Sequence, residues 1–263
     1  MTDAWDPAIY RQFAAERTQP FIDLLALIQP ARFRKAVDLG CGPGELTCVA
    51  ADQLQCDDML GIDNSKAMLA EARAHCEPGV RFAHGDLVAW TSNADHDLVL
   101  ANASLQWVPD HAEVLGRWAA ALTPGGQLAV QVPANAHMPS HAVAREVAHT
   151  EPFLSAFGSH GPPSDPVADN VLEPEQYASI LFDLGFAQQH VRLQVYPHAL
   201  ASSRSVVDWV RGTTLTRFQR RLDPQTYADF LAAYEQRLIE VIGDRSPYFF
   251  PFRRILLWAR TPS

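Results

Sequence analysis

Short apolar runs alternate with amphipathic segments between residues 34 and 132, and the apolar runs have the length of buried strands. This alternation predicts an α/β fold, with a parallel sheet and right-handed helical crossovers. The predicted strands end at Asp38-Leu39 and then cover Met59–Asp63, Val80–Asp86, Asp97–Asn102, Gln127–Val132, 186–195 and Phe252–Ala259. The predicted helices cover 45–54, 65–76, 174–184, 204–212 and 223–242, with one or two more in 7–29 that start at Pro7 and Pro20.

Two segments are predicted to be irregular. Pro124-Gly125-Gly126 is expected to end a helix and turn the chain into the strand Gln127–Val132. Residues 151–174 are rich in Pro, Gly, Ser and Asp, which predicts a long loop, mobile over an active site.

The first predicted strand runs into a glycine turn, Val37-Asp38-Leu39-Gly40-Cys41-Gly42-Pro43-Gly44. Glycine lets the backbone turn tightly and approach a ligand. The dinucleotide fingerprint would need a further glycine at position 45, where Glu45 stands, and a glutamate there is a poor neighbour for a pyrophosphate. The turn favours a nucleoside ligand without phosphates, S-adenosylmethionine (SAM) being the obvious one. The alternative interpretation is a tight strand-to-helix turn that binds nothing.

The next three predicted strands also end in polar residues. Asp63 lies 23 residues after Gly40, where an acid in such folds takes the two ribose hydroxyls. Asp86 could accept a hydrogen bond from an adenine amino group, and Asn102 ends the fourth strand. Any one of them could be only a turn residue or a helix cap. Four strands with polar groups at the same edge of the sheet indicate a binding site.

Composition narrows the class of protein. The 263 residues are 48% apolar and 19% charged, which is typical of a folded domain and not of a disordered chain. No apolar run reaches transmembrane length and the start lacks a signal-peptide pattern, so we expect a cytoplasmic protein without a membrane partner. The net charge of −9 disfavours nucleic-acid binding. The four cysteines, Cys41, Cys48, Cys56 and Cys76, form no metal-ligand spacing, so no metal site is predicted.

Basic residues are concentrated near the end of the chain. Residues 192–263 hold 11 arginines against 6 acidic residues, whereas the preceding part is strongly acidic. The planar guanidinium fork matches a carboxylate in two-point contacts, so this segment suggests a small anionic substrate. The alternative is an ordinary solvated surface.

Several segments together carry a family resemblance. They are Trp5-Asp6-Pro7 with Tyr10, Phe13–Arg17, the glycine turn, Ala101–Trp107 with Pro109-Asp110-His111, Val207–Val210 and Phe250–Arg254. In these segments the chain resembles the class I SAM-dependent methyltransferases and, more narrowly, the trans-aconitate 2-methyltransferase family. The resemblance implies a Rossmann-like, mostly parallel seven-stranded sheet with helices on both faces. It also implies an N-terminal helical lid at 1–30 and a methyltransferase domain at 31–263, with substrate-side cap elements near 140–174 and 204–245.

The activity that the resemblance implies is transfer of the SAM methyl group to one carboxylate of a small polycarboxylic acid, giving a monomethyl ester and S-adenosylhomocysteine. No general base is required, since a carboxylate is ionised at pH 7. The expected cofactor-binding residues are Asp38, Gly40, Gly42, Gly44, Asp63, Asn64, Met68, Asp86, Leu87 and Asn102. The expected substrate-binding residues are Tyr10, Arg17, Trp107, Arg217 and Arg253, with Arg220, Arg221 and Arg254 as further candidates. We expect a monomer.

Three alternatives stay open at this point. The same fold could methylate another acid, such as the free carboxylate of a malonyl thioester, or a natural-product hydroxyl. The chain could bind SAM without turnover. A nicotinamide-dependent reductase is disfavoured by Glu45.

Overall fold

The computed structural model describes residues 14–75 and 78–263, with side chains from Thr18 onward. Seven strands form one sheet in the order β3-β2-β1-β4-β5-β7-β6. Strands β1 to β5 pair with one another in parallel, and β7 runs antiparallel to β5. The strands are β1 Ala36–Leu39, β2 Met59–Asp63, β3 Val80–His84, β4 His96–Asn102, β5 Leu122–Pro133, β6 Gln188–Leu200 and β7 Tyr248–Arg260. The predicted seven-stranded, mostly parallel α/β fold is confirmed.

The helices connect these strands and are numbered here among the described residues. They are α1 Ala14–Leu25, α2 Glu45–Gln53, α3 Lys66–Ala72, α4 His111–Ala120, α5 Pro139–Ala148, α6 Phe153–Ala156, α7 Pro166–Asn170, α8 Pro174–Asp183, α9 Ser205–Arg211, α10 Thr216–Gln219 and α11 Pro224–Ile242. Short 3-10 turns cover Arg73–His75, Leu105–Trp107 and Gly158–His160.

The strand order places a candidate site at the end of β1. All four residues of β1 are buried, and Val37 pairs with Leu60 of β2 on one side and with Val99 of β4 on the other. The chain moves outward from β1 through β2 to β3 and then returns to β4 on the opposite side of β1. Such a reversal opens a crevice at the carboxyl ends of the two strands where an open α/β sheet binds its ligand.

The chain forms two compact units. The first contains the described residues up to Pro133, together with Asn170–Gln194 and Arg254–Ser263. The second contains Ala134–Asp169 and Val195–Arg253 and has its own apolar core, in which the ring of Phe230 lies 5.4 Å from that of Phe153 and 4.8 Å from that of Phe218. The lid at 1–30 and the substrate-side caps near 140–174 and 204–245 stay predictions.

Two predictions made from the local sequence pattern were wrong. Pro20 does not start a helix but lies inside α1, where the burial of Phe21 and Leu24 holds the helix together despite the missing amide donor. Residues 151–174 are not one long loop, since they include α6, α7 and a 3-10 turn. Phe153 and Phe157 are buried in the second core, and this burial favours helical turns that the Pro- and Gly-rich composition conceals.

The sequence also misplaced the start of β5 and omitted two helices. β5 begins at Leu122, ahead of Pro124-Gly125-Gly126, and its pairing with β4 shifts register between His96 and Leu98. Helices α5 and α10 were not predicted.

Candidate functional site

The glycine turn after β1 is tied to the end of β2 by backbone hydrogen bonds. The amides of Gly40 and Cys41 both donate to the carbonyl of Ile62, at 2.8 and 3.0 Å. Gly40, Gly42 and Gly44 have φ values of +83°, +56° and +81°, which favour glycine. The turn is therefore held in one defined shape by its neighbour strand.

The carboxylate of Asp63 is the second attachment of this turn. Its Oδ2 accepts the Gly42 amide at 2.9 Å, and its Oδ1 accepts the amide of Ser65 at 2.8 Å. Ser65 in turn caps α3, since its hydroxyl accepts the amide of Met68. One acid thus connects the glycine turn, the end of β2 and the start of α3.

The three glycines have different reasons to be glycine. A Cβ on Gly40 would lie 2.2 Å from Cβ of Ser104, and a Cβ on Gly44 would lie 2.6 Å from the ring of Phe82. A Cβ on Gly42 would meet no atom within 4 Å. Gly40 and Gly44 are therefore required by packing, whereas Gly42 borders open space beside the turn, where a ligand could approach the backbone.

Asp38 is a buried acid with an incompletely used carboxylate. The residue is 3% exposed, and its Oδ2 accepts the hydroxyl of Thr47 at 2.6 Å. Its Oδ1 is buried and accepts no hydrogen bond from the described residues. Burial raises the pKa of Asp38 to about 7, the negative charge of Asp63 adds to this, and the bond from Thr47 opposes it.

The end of β4 carries a second buried acceptor of this kind. Asn102 pairs with Gln131 in the sheet, and its side-chain Oδ1 is buried without a hydrogen-bond partner among the described residues. A buried acceptor left unsatisfied costs about 1–3 kcal/mol, so such groups are rare in folded proteins. An unsatisfied acceptor at a strand end therefore indicates a position where a water or a ligand binds.

Comparison with known proteins identifies the family of this site. A family model described as a methyltransferase domain matches residues 36–126, which include the glycine turn, Asp63 and Asn102. The trans-aconitate 2-methyltransferase of Methylobacterium radiotolerans is 40% identical to this chain, over 98% of this chain and 99% of its own length. That of Mycobacterium tuberculosis is 36% identical, over 97% of this chain and 96% of its own.

The chain belongs to the trans-aconitate 2-methyltransferase family. It is a SAM-dependent methyltransferase, and its predicted cofactor is confirmed.

Solved structures agree on the fold. The Bacillus subtilis YcgJ protein matches 94% of this chain and 99% of its own with a TM-score of 0.62 at 12% identity. A Haemonchus contortus phosphoethanolamine N-methyltransferase 2 in complex with S-adenosyl-L-methionine matches 93% of this chain and 53% of its own with a TM-score of 0.55 at 18% identity.

Four other residues of this trans-aconitate 2-methyltransferase family member are predicted to bind the cofactor. They lie near the ends of β2 and β3. Asn64 is exposed and precedes the helix cap, whereas Met68 is 3% exposed. Asp86 is exposed and its Oδ1 accepts the amide of Val88 at 2.8 Å. The carbonyl of Leu87 accepts the indole N–H of Trp118 at 3.1 Å. The contacts of these four residues with SAM stay predictions.

The predicted substrate residues are distributed along the chain. Tyr10 lies outside the described residues, and the side chain of Arg17 does too. Trp107 follows β4 in a 3-10 turn of the first unit and is 49% exposed. Arg217 and Arg253 belong to the second unit. Arg253 is half-buried, and its backbone amide donates to the side chain of Asn135 at 2.8 Å.

Sequence reasoning missed Thr47 and Ser104, which act on the site from within the fold. Thr47 bonds to Asp38, and the Ser104 hydroxyl donates to the carbonyl of Leu39 at 2.5 Å. Both are small hydroxyl residues without a pattern of their own. The only signal was the position of Ser104 inside the segment Ala101–Trp107.

A surface cleft of about 330 Å³ lies beside the turn that follows Asp86. It contains none of the predicted site residues, so the site is assigned from the strand ends and not from this cleft. The cleft is lined by Val88, Ala89, Pro109, Asp110, Glu113, Val114 and Arg117.

Cys41 is not a candidate nucleophile. It is buried within the glycine turn, and burial raises the pKa of its thiol well above the usual range, with the charges of Asp38 and Asp63 adding to the shift. A thiol held in its protonated form is a poor nucleophile at neutral pH.

Proposed function

We propose that this enzyme transfers the methyl group of SAM to one carboxylate of trans-aconitate and releases the monomethyl ester and S-adenosylhomocysteine. The observation that carries the proposal is the 40% identity to trans-aconitate 2-methyltransferases over nearly the whole of both chains. The match extends beyond the methyltransferase domain at 36–126 and covers 98% of this chain.

The residues around the glycine turn suit SAM. The unpartnered Oδ1 atoms of Asp38 and Asn102 are acceptors suited to the amino group at the methionyl end of SAM. The open side of Gly42 leaves the backbone accessible to the ligand. The bound cofactor supplies a methyl group on a sulfonium centre.

The nucleoside end of SAM is assigned to Asp63, which ends β2, and to Asp86, which follows β3. The carboxylate of Asp63 accepts the amides of Gly42 and Ser65, and a carboxylate has several acceptor sites, so Asp63 is proposed to accept a ribose hydroxyl as well. Asp86 and Leu87 are assigned to the adenine, with Asn64 and Met68 beside them.

The acceptor needs positioning more than proton transfer. Carboxylates with a pKa of about 4 are already ionised at pH 7, so the attacking oxygen needs no base. Charge disappears when an anion attacks a sulfonium, and exclusion of water together with alignment should suffice. Arginines suit the spectator carboxylates, with Arg217 and Arg253 as the candidates. Tyr10, Arg17 and Trp107 are proposed as further substrate-binding residues.

A mass-spectrometric screen tests the proposal. Purified enzyme and SAM are incubated with a panel of di- and tricarboxylic acids, a malonyl thioester and phenolic hydroxyl compounds. The expected result is a mass increase of one methyl group on trans-aconitate, with equal release of S-adenosylhomocysteine. Turnover of another acid or of a hydroxyl compound alone would replace the proposed substrate. SAM binding without turnover of any acceptor would indicate a non-catalytic protein.

The proposal includes a cytoplasmic monomer. Cys41 and Cys56 are free thiols, as is usual in a reducing compartment. No described helix has the length and apolar character needed to cross a bilayer. Cell fractionation checks the compartment, and light scattering checks the oligomeric state.

A further inference from the structure

Asp165 in the second unit is a buried carboxylate shared by two arginines. The residue is 3% exposed. Its Oδ2 accepts Nη1 of Arg145 at 2.9 Å, and its Oδ1 accepts Nη1 of Arg217 at 2.9 Å. The amide of Val167 also donates to Oδ1, at 3.2 Å. The cluster of these three side chains therefore carries one positive charge in excess when Asp165 is ionised.

Asp165 is ionised at neutral pH. Burial by itself pushes the pKa of this carboxyl upward, but the hydrogen bond and charge of Arg217, the charge of His141 and the hydrogen bond from Arg145 outweigh burial and hold the pKa below its ordinary value. A buried charge is tolerated only when it is paired, so removal of either arginine would leave the other groups poorly compensated.

The two arginines differ in how completely their donors are used. Arg145 directs Nη1 to Asp165 and Nη2 to the carbonyl of Ala136 at 2.8 Å. Arg217 directs only Nη1 to Asp165, and its Nε and Nη2 are buried without a hydrogen-bond partner in the described chain. Its guanidinium carbon lies 4.8 Å from the ring centre of Phe218, which covers one face of the group.

The two unused atoms of Arg217 form the edge that binds a carboxylate with two parallel bonds. Nε–H and one Nη2–H of a guanidinium point in the same direction and match the spacing of two carboxylate oxygens. Two buried donors without partners on one guanidinium destabilise the folded protein. A second carboxylate would accept a hydrogen bond from both donors and neutralise the excess positive charge.

We propose that Arg217, held in orientation by Asp165 and Phe218, binds one carboxylate of a small organic acid through Nε and Nη2. Asp165 is then a positioning residue, since it fixes Nη1 and leaves the opposite edge of the guanidinium for the ligand. The inference rests on the proposed function in taking that acid to be the methyl acceptor. A separate small acid that regulates the enzyme could present the same carboxylate to Arg217. The experiment therefore distinguishes a carboxylate of the methyl acceptor from that of a regulatory acid.

Binding to the enzyme saturated with S-adenosylhomocysteine is measured by calorimetry for four acids. They are trans-aconitate and three dicarboxylates that each lack a different one of its carboxylates: itaconate, cis-glutaconate and mesaconate. Arg217→Lys keeps the charge and loses the two-point edge. Arg211→Lys, at the exposed end of α9, is the matched control.

The expected result is selective. Arg217→Lys should raise the Kd of trans-aconitate by roughly tenfold or more, as for the loss of one charged two-point contact. The same penalty should remain for two of the dicarboxylates and vanish for the third, which lacks the carboxylate that Arg217 holds. Arg211→Lys should leave all four affinities unchanged. An equal penalty for all four acids, or no penalty at all, would overturn the proposal.

Asp165→Asn tests the positioning role. The amide keeps the volume but turns an N–H₂ group toward a guanidinium, so Arg217 should lose its alignment. Its penalty should show the same dependence on the acid as Arg217→Lys, and the double variant should cost less than the two penalties combined. If Asp165→Asn lowers all affinities alike while it lowers the melting temperature, Asp165 is only structural. Should it fail to fold, Arg217→Lys carries the test.

Steady-state methylation distinguishes the two sources of the acid and the failure of the proposed function. A substrate carboxylate at Arg217 raises KM in Arg217→Lys in proportion to Kd, with a smaller change in kcat. An Arg217-dependent Kd with an unchanged KM assigns the carboxylate to a regulatory acid. Absence of methyl ester from the parent enzyme contradicts the proposed function alone, since the binding arm does not require turnover.

Discussion

The side chain of Ser104 fills the space that a side chain on Gly40 would need, at the carboxyl edge of the sheet. A Cβ on Gly40 would lie 2.2 Å from Cβ of Ser104, and the Ser104 hydroxyl donates to the carbonyl of Leu39 at 2.5 Å. The residue after β1 is therefore glycine because the segment after β4 packs against it. A ligand is not needed to explain Gly40, whereas Gly42 has no such neighbour.

Gly40→Ala and Gly42→Val should therefore separate folding from cofactor binding. Gly40→Ala should lower the free energy of unfolding by about 1–3 kcal/mol, because of the steric overlap and the positive φ. Gly42→Val should leave a folded protein, strained only at its own φ, that binds SAM at least about tenfold more weakly because the side chain occupies the ligand's approach. Chemical denaturation and calorimetry measure the two effects. A folded Gly42→Val protein with parent affinity for SAM would remove the turn from the site.

Asp38 should make SAM binding depend on pH. With its pKa raised to about 7, mainly by burial, Asp38 must lose a proton before it can pair with the ammonium of SAM. Affinity should rise by about tenfold per pH unit below pH 7 and level off above it. Asp38→Asn should bind weakly with no such slope. A parent slope that persists in Asp38→Asn would assign the proton to another group.

Asp38 should affect the stability of the ligand-free protein in the opposite direction. The folded state holds this proton more tightly than the unfolded chain, whose aspartates have a pKa of about 3.9. Its contribution to stability is therefore fully present below about pH 4 and is lost as the pH rises to about 7. The difference in unfolding free energy between the parent and Asp38→Asn should change over this window, and a constant difference would contradict the shift.

Asp63→Ala should weaken SAM binding by about 1–3 kcal/mol, because the ribose hydroxyls lose a charged acceptor. The structure adds a second cost, since the carboxylate also holds the amides of Gly42 and Ser65. The melting temperature should fall together with the affinity. Asp86→Ala is the control for stability, since Asp86 is exposed and its Oδ1 accepts the amide of Val88 within the same turn. Unchanged calorimetric affinity in Asp63→Ala would exclude Asp63 from the site.

Arg253→Lys should reduce kcat/KM for the acid nearly as much as Arg253→Ala, with SAM affinity nearly unchanged. The reason is that a lysine keeps the charge but cannot make a two-point contact with a carboxylate. The backbone bond from Arg253 to Asn135 survives both changes, so the fold should persist. Parent rates of ester formation in both variants would place Arg253 outside the substrate site.

Tyr177→Phe should destabilise the segment that follows β4. The Tyr177 hydroxyl lies 2.7 Å from Nδ1 of buried His111, whose Nε2 lies 2.9 Å from the carbonyl of Leu105. Burial lowers the pKa of His111, against the effect of the carbonyl bonds, so the ring is neutral at pH 7 and can accept the hydroxyl proton at Nδ1. Loss of that hydroxyl leaves Nδ1 unsatisfied and should cost about 1–3 kcal/mol.

Tyr227→Phe is the matched control for this change. The Tyr227 hydroxyl is buried and makes no hydrogen bond with the described residues, so its removal should be neutral or stabilising. Urea denaturation of both variants decides the comparison. Equal losses in the two variants would show that the His111 contact contributes nothing to stability.

The sequence alone determined the fold class and the cofactor, and it predicted where the cofactor binds. Alternation of apolar runs with amphipathic segments defines β1 to β4, and parallel strands bring their carboxyl ends to one edge. The polar residues that end those strands and the glycines between β1 and α2 can therefore be located by counting along the chain. The period of the hydrophobic pattern and the residue types in turns are local properties of the chain, so they can be recognised in a single sequence.

Only the tertiary structure decided which groups these residues meet. The Thr47 hydroxyl donates a hydrogen bond to one oxygen of Asp38. Ser104 leaves no room for a side chain at Gly40. Asp165 forms ion pairs with Arg145 and Arg217, which lie on separate helices. Helices α6 and α7 likewise form in a Pro- and Gly-rich segment whose composition predicts a loop, and Phe153 and Phe157 of that segment are buried. These outcomes depend on contacts between residues far apart in the chain, where burial and charge pairing outweigh local preference.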